Sequence, residues 1–249
     1  MIDVAFIGTD VRPASIAVVI DVLRATSTIT MALSSGYERV LVAGGIDHAR
    51  ELRAAGQVLA GEVECEMPEG FDLGNSPEET REPKGPELIL ATTNGAPAIV
   101  SAAESCDVVL AASLLNFDAI VAELAQAGGD ILLVCAGTNG SITLEDVYLA
   151  GRISVALEGD RTDAARVAEA VAASYDKPLD ALDASAGSVG LYAAGLDRDI
   201  AFCAQESITT AVPRLVSMTD GVPVLEAGAH DAVAPAADSV GAILSSGDS

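Results

Sequence analysis

Leu88-Ile-Leu-Ala-Thr-Thr-Asn-Gly95 reads as a short apolar strand running into a polar turn, and the pattern then repeats twice. Ala96–Ser105 follows as a helix rich in small residues. Val108–Ala112 is the next strand, ending in Ser113-Leu-Leu-Asn116, with the helical Phe117–Ala127 behind it. Ile131–Val134 is the third, ending in Cys135-Ala-Gly-Thr-Asn-Gly140 before the helical Leu144–Leu157. Strand, polar loop and helix recurring about every twenty residues is the signature of consecutive βαβ units. The expectation is an α/β fold in three layers around a largely parallel sheet, in one body or two α/β lobes. Right-handed crossovers predict all three loops on one edge of that sheet.

Upstream, Val4–Ile7, Ile16–Ile20, Val40–Ala43 and Val58–Gly61 are further apolar runs of strand length. Helices are predicted near Ile29–Leu33 and Asp47–Ala55. Glu62 to Glu87 is a long segment with four prolines and little periodicity, and structureless loops of that length are uncommon unless functional. After Gly159, Thr162–Tyr175 reads as an amphipathic helix with Thr162 at its N-cap. Asp183–Gly195 and Ile200–Ala211 look partly helical, and Pro213–Leu225 reads as an extended edge segment. The α/β domain is placed at 1–228. Residues 229–249, small and acidic, are expected to form a disordered tail.

The 249 residues carry 37 acidic and 13 basic side chains, a formal charge of −24, and only Lys84 and Lys177 are lysines. Such a surface repels nucleic acid, whose affinity comes from basic side chains meeting phosphates. It suits a cytosol near molar salt, where the Debye length falls to about 3 Å, so a salt-loving host is the expectation. No apolar run approaches the roughly 20 residues needed to cross a bilayer, and the N-terminus lacks a basic signal region. A cytoplasmic location without membrane partners is expected. Cys65, Cys106, Cys135 and Cys203 show no CxxC spacing, which argues against zinc. His48 falls in an expected surface helix and His230 in the tail, which argues against a histidine base.

Chemistry gathers first at Asp21-Val-Leu-Arg-Ala-Thr-Ser-Thr28, where the strand Ile16–Ile20 gives way to a helix. Ligands of open α/β sheets bind at such strand ends, beside the free N–H groups of helix N-termini. Asp21 is either a turn carboxylate or a metal ligand. Arg24 offers a bidentate fork for an oxyanion, with Thr26, Ser27 and Thr28 as hydroxyl donors. Glu145 and Asp146, in the first turn after Cys135–Gly140, either compensate the helix dipole or bind Mg²⁺. Glu62, at the end of Val58–Gly61, is the third carboxylate of that set. Thr92, Thr93 and Asn94 in one loop and Thr138 and Asn139 in another form an oxyanion cradle. Asp72, Asn75 and Ser76 of the long segment, and Asn116, are placed in the polar shell. Two phosphatase templates fail: position 23 is Leu, which breaks Asp-x-Asp, and Ser141 stands where Cys-x5-Arg needs Arg. Cys135 is retained among the catalytic candidates as a residue lining the site.

The stretches VVIDVLRATSTI (Val18–Ile29), GFDLGNSP (Gly70–Pro77), TTNGA (Thr92–Ala96) and CAGTNGSITLEDVYLAG (Cys135–Gly151) together resemble the 2-phosphosulfolactate phosphatase family, in that family's order. Asp199-Ile-Ala-Phe-Cys203 is similar to its later Asp-hydrophobic-x-x-Cys segment. Val63 and Ser141 depart from the resemblance, standing where basic residues are common, and Ala96 replaces a usual Thr. The resemblance implies an α/β fold, Mg²⁺ dependence, hydrolysis of 2-phospho-3-sulfolactate to sulfolactate and phosphate in coenzyme M biosynthesis, and a homodimer. A phosphatase for another small acidic metabolite, or a regulatory protein that binds a phosphorylated ligand without turnover, stays open on the residues alone.

Overall fold

The structure, a computed structural model, describes residues 1–228. The expectation of a disordered acidic tail, with His230, lies outside the described residues. Nine strands form one mixed sheet in the order β1-β7-β2-β6-β8-β9-β3-β5-β4. β1 (Ile2–Ala5), β7 (Ile131–Cys135), β2 (Ala14–Ile20) and β6 (Cys106–Ala112) form one parallel block. β3 (Arg39–Ala43), β5 (Glu87–Ala91) and β4 (Val58–Gly61) form a second. Each block matches expected apolar runs to within two or three residues. Their strands are buried on both faces, as parallel strands covered by helices must be.

The two blocks are joined by an antiparallel hairpin, β8 (Pro213–Thr219) and β9 (Val222–Ala227). Pro213–Leu225, expected as one extended edge segment, is therefore two strands in the middle of the sheet. Its turn is Asp220-Gly221, both at positive φ, which suits the right-handed twist of a two-residue hairpin. Three successive antiparallel pairings separate β6 from β3, so the two blocks run in opposite senses. The loops after β5, β6 and β7 consequently do not share one edge: β5 belongs to the other block.

Helices cover both faces. α1 (Ala25–Ser35) and α3 (Gly95–Ser105) contribute to one hydrophobic cluster that also gathers Val19, Val42, Val58, Leu90 and Val109, side chains from both blocks. α4 (Phe117–Gln126), α5 (Leu144–Ala156), α6 (Asp163–Ala172), α7 (Pro178–Asp183), α8 (Ala186–Ala193) and α9 (Asp197–Cys203) build on the opposite face of the first block around Leu133, Tyr148 and Ile153. α2 (Ile46–Leu52) covers the far face of the second block. Thr162 caps α6 as expected, its hydroxyl accepting from Ala165 N at 3.2 Å. Among the described residues no helix is long and apolar enough to cross a membrane.

The starts of α1 and α3 meet. A Cβ built on Gly95 would lie 3.0 Å from Ala25 Cβ and 3.2 Å from Asp21 Oδ2. α1 leaves the end of β2 and α3 leaves the end of β5. This contact, made possible by a glycine, brings together loops from two blocks that point opposite ways.

Candidate active site

A cavity of about 500 Å³ opens at that junction. It is lined by Arg24 after β2, Glu62 and Cys65 after β4, Thr92, Thr93 and Asn94 after β5, and Thr138 and Asn139 after β7. Asn75 of the long segment lines it as well, together with the start of α8 at Ala186 and Gly187. Eight of the residues singled out in the sequence, Arg24, Glu62, Asn75, Thr92, Thr93, Asn94, Thr138 and Asn139, are therefore brought into one place. The Thr92–Gly95 and Gly137–Gly140 turns touch directly, with Asn139 N donating to Asn94 Oδ1 at 3.2 Å. Asn139 and Gly140 both have positive φ, and Thr138 and Ser141 exchange two backbone hydrogen bonds across them. The second turn is thus a tight hairpin whose exposed tip forms part of the rim.

Arg24 is the single basic residue among the described residues that line the cavity, and it is 5% exposed. Its Nη1 donates to Asp199 Oδ2, while Ser76 Oγ donates to Asp199 Oδ1 at 2.6 Å. Ser76 therefore spends its hydroxyl on Asp199. Asn75 remains turned to the cavity, its Oδ1 buried without a partner.

Three predicted carboxylates, Asp21, Glu145 and Asp146, are buried and do not line the cavity, and Glu145 lies behind Gly187 of its wall. Asp21 is pushed up to about 7, first by burial and then by the charge of Asp146. Glu145 is pushed up to about 8 by the same two causes in the same order. Asp146 rises to about 6 through burial, opposed by hydrogen bonds from Val22 N, Thr143 and Gly137 N. Asp146 spends both oxygens on those donors, at 2.9, 2.8 and 3.1 Å, and so fastens the loops after β2 and β7 to the start of α5. Asp21 Oδ1 accepts from Ala25 N at 3.1 Å. Glu145 Oε2 is buried with no partner at all. Gly187 leaves room for Glu145, because a Cβ there would stand 2.5 Å from Glu145 Oε1.

Several expected ligand contacts are spent elsewhere. The Thr26 hydroxyl donates to Asp21 O and that of Ser27 to Val22 O, both at 2.8 Å. α1 starts at Ala25, earlier than Ile29, so these side chains fasten its first turn to the preceding loop. Thr28 is fully buried in the same helix. Asp72 faces Arg53 at 2.9 Å and accepts from Leu59 N. Asn116 caps its own turn and donates to Ala211 O. Cys135 is wholly buried at the end of β7, and burial holds its thiol well above the usual range, so it is neutral and faces the core. None of these six lines the cavity, and neither does His48 on α2. Asp199, Cys65 and the Ala186-Gly187 helix start were not singled out as site residues. The Asp199-Ile-Ala-Phe-Cys203 segment, which carries part of the family resemblance, was the available signal for Asp199.

The donor chemistry suits a hard divalent cation. Mg²⁺ takes oxygen ligands and commonly uses one or two carboxylates plus water. Asp21 and Glu145 have oxygens left for that role, whereas both oxygens of Asp146 already accept hydrogen bonds. Glu62 lies at the cavity wall with Oε2 accepting from Cys65 N at 2.7 Å. Among the described residues no group of three His, Cys, Asp or Glu side chains converges closely enough to hold an ion unaided. Water or ligand oxygens must therefore complete any coordination shell.

A family model described as 2-phosphosulpholactate phosphatase matches residues 5–218. A relative from Thermotoga petrophila, named a probable 2-phosphosulfolactate phosphatase, is 41% identical over 221 residues, 87% of this chain and 96% of its own. A Thermotoga maritima protein of the same name gives the same identity and coverage. One from Thermus thermophilus, again so named, is 39% identical over 216 residues, 84% of this chain and 91% of its own.

Proposed function

The chain belongs to the 2-phosphosulpholactate phosphatase family, and from that premise we propose that it hydrolyses 2-phosphosulfolactate, or a closely related phosphorylated hydroxy acid, with Mg²⁺. The observation that carries the reading is a cavity lined by a buried arginine, with Glu145, whose Oε2 has no partner, directly behind the Gly187 wall.

Charge explains why both parts are needed. A phosphomonoester brings about two negative charges at neutral pH, and the proposed substrate adds a sulfonate and a carboxylate. Arg24 supplies one positive charge and Asp199 already offsets it. Glu62 and Glu64 at the wall add more negative charge. Protein side chains alone therefore repel such a ligand at short range, where a low local dielectric makes repulsion strong. Mg²⁺, when bound, supplies a Lewis acid that polarises the phosphoryl oxygens.

Arg24 grips non-bridging phosphoryl oxygens through the guanidinium nitrogens not given to Asp199, a fork that matches their geometry. Thr92, Thr93, Asn94, Thr138 and Asn139 offer hydroxyls and amides along the rim. Asn75 offers its amide as well. Asp21 and Glu145 give up their raised protons when they become ligands, so affinity for the ion rises with pH. Because the bonds of Arg24 and Asp146 are made before a ligand arrives, little reorganisation is left for the chemical step.

Release of inorganic phosphate from 2-phosphosulfolactate, phospholactate and phosphoglycolate, with Mg²⁺ and with EDTA, tests the reading. Mg²⁺-dependent release from 2-phosphosulfolactate is expected, and Asp21→Asn should abolish it at saturating Mg²⁺. Binding of these esters without release would overturn the enzymatic reading in favour of a ligand sensor. Undiminished release in EDTA would remove the metal.

A further inference from the structure

Asp199 does not line the cavity, yet each of its oxygens is committed to a different functional loop. Oδ2 accepts from Arg24 Nη1 and Oδ1 accepts from Ser76 Oγ at 2.6 Å. All three side chains are more than nine-tenths buried. Asp199 itself is anchored in the first turn of α9, whose Ile200, Phe202 and Cys203 pack into the core. Neutralising a buried arginine needs only one oxygen near it. Here the second oxygen is tied to the Gly70–Pro77 loop, and the carboxylate plane is fixed from both sides.

Resting on the functional reading above, we propose that Asp199, held by Ser76, is a positioning residue that aims the Arg24 fork at the phosphoryl group. Arginine is planar and its donors are rigidly arranged, so holding one terminal nitrogen sets the direction of the others. A group aimed before the ligand arrives spends no binding energy on its own ordering. The same device explains why three stretches distant in the chain, around positions 21–28, 70–77 and 199–203, must fold together before the cavity can hold an anion.

The test uses inorganic phosphate as the probe, measured both as an inhibitor of turnover and by calorimetry with Mg²⁺. Asp199→Asn keeps the shape and one acceptor oxygen. It should weaken phosphate binding by about tenfold, the loss of a hydrogen bond that orients the fork outweighing the gain from removing a negative charge beside the anion. Arg24→Ala should weaken it further, and the Arg24→Ala/Asp199→Asn pair should bind no worse than Arg24→Ala alone. Asp199→Glu, which keeps the charge but shifts the carboxylate, should recover little. Wild-type phosphate affinity in Asp199→Asn, with only a lower melting temperature, would show an ion pair that merely stabilises the fold. Multiplying losses in the pair would equally overturn the proposal. Should Asp199→Asn not fold, Ser76→Ala removes only the 2.6 Å contact. It should give a smaller loss in the same direction, and unchanged binding there would overturn the role. A wild type that neither binds phosphate nor releases it from an ester would instead sink the functional reading itself.

Discussion

Asp21, Glu145 and Asp146 are three buried carboxylates; burial raises all three, and the charge of Asp146 adds to it for Asp21 and Glu145. In the folded chain they stand near 7, 8 and 6, against ordinary values of 3.8 to 4.5. Raised carboxylate values mean that the folded state holds protons the unfolded chain would release. The stability they contribute is complete below about pH 4 and is lost as pH rises through about 6 to 8. In EDTA, the melting temperature should fall between pH 5.5 and pH 8.5. Mg²⁺ should stabilise more at pH 8.5 than at pH 5.5, since ligands must shed their protons and an ion that binds only the folded state raises its stability. Thermal melts at both values, with Mg²⁺ and with EDTA, check this. An equal or larger Mg²⁺ effect at pH 5.5 would remove these acids from the ion's site.

The start of α8 shows how an element shapes the site without supplying a functional group. Gly187 sits against Glu145 Oε1, and an added methyl 2.5 Å away must displace a carboxylate that is itself boxed in. Gly187→Ala should therefore cut phosphate release by about tenfold or more, at 1.4 kcal/mol per factor of ten. Its melting temperature should change little, because helix propensity favours alanine. Gly151 offers the contrast. A Cβ there would meet Ala168 O at 2.0 Å, where α5 and α6 pack closely. Gly151→Ala should lower stability by about 1–3 kcal/mol, the usual cost of overpacking, read as a shifted denaturation midpoint. Equal melting losses for the two variants would deny Gly187 its local role. The parallel strands were legible because each is a largely buried apolar run followed by a polar or glycine-containing turn. The hairpin was not, because Pro213 and Pro223 read as edge residues. Asp220-Gly221 between two strand-like runs was the signal that should have split that segment. At the site, the strand-end rule located Arg24, Glu62, Thr92 and Thr138. It could not show that Thr26 and Ser27 would satisfy backbone carbonyls, nor that Asp199 would reach Arg24 from 175 residues away. Pairings across that distance depend on the three-dimensional path of the chain and leave no local periodicity.

For the molecule as a whole, charge opposes the site's own task. The described residues form nine ion pairs; only Arg24–Asp199 is nearly dry, and the others lie at or near the surface. Exposed pairs contribute little, so most of the −24 formal charge acts as self-repulsion and as a field opposing incoming anions. Raising KCl from 0.1 M to 1 M shortens the Debye length from about 10 Å to about 3 Å. Two effects should follow together. The melting temperature should climb steeply at first and then level as repulsion is screened. At fixed Mg²⁺, kcat/KM for a phosphomonoester should also rise over the same range, because the long-range barrier to an anion's approach collapses. The contact with Arg24 is short and buried and is screened far less. An enzyme steered by positive charge would show the opposite slope. If kcat/KM falls with KCl while stability rises, the anion is drawn in by local positive charge stronger than Arg24 alone supplies, and the acidic surface serves folding only. If neither moves, surface repulsion governs neither property, and the case for a salt-adapted chain fails with it.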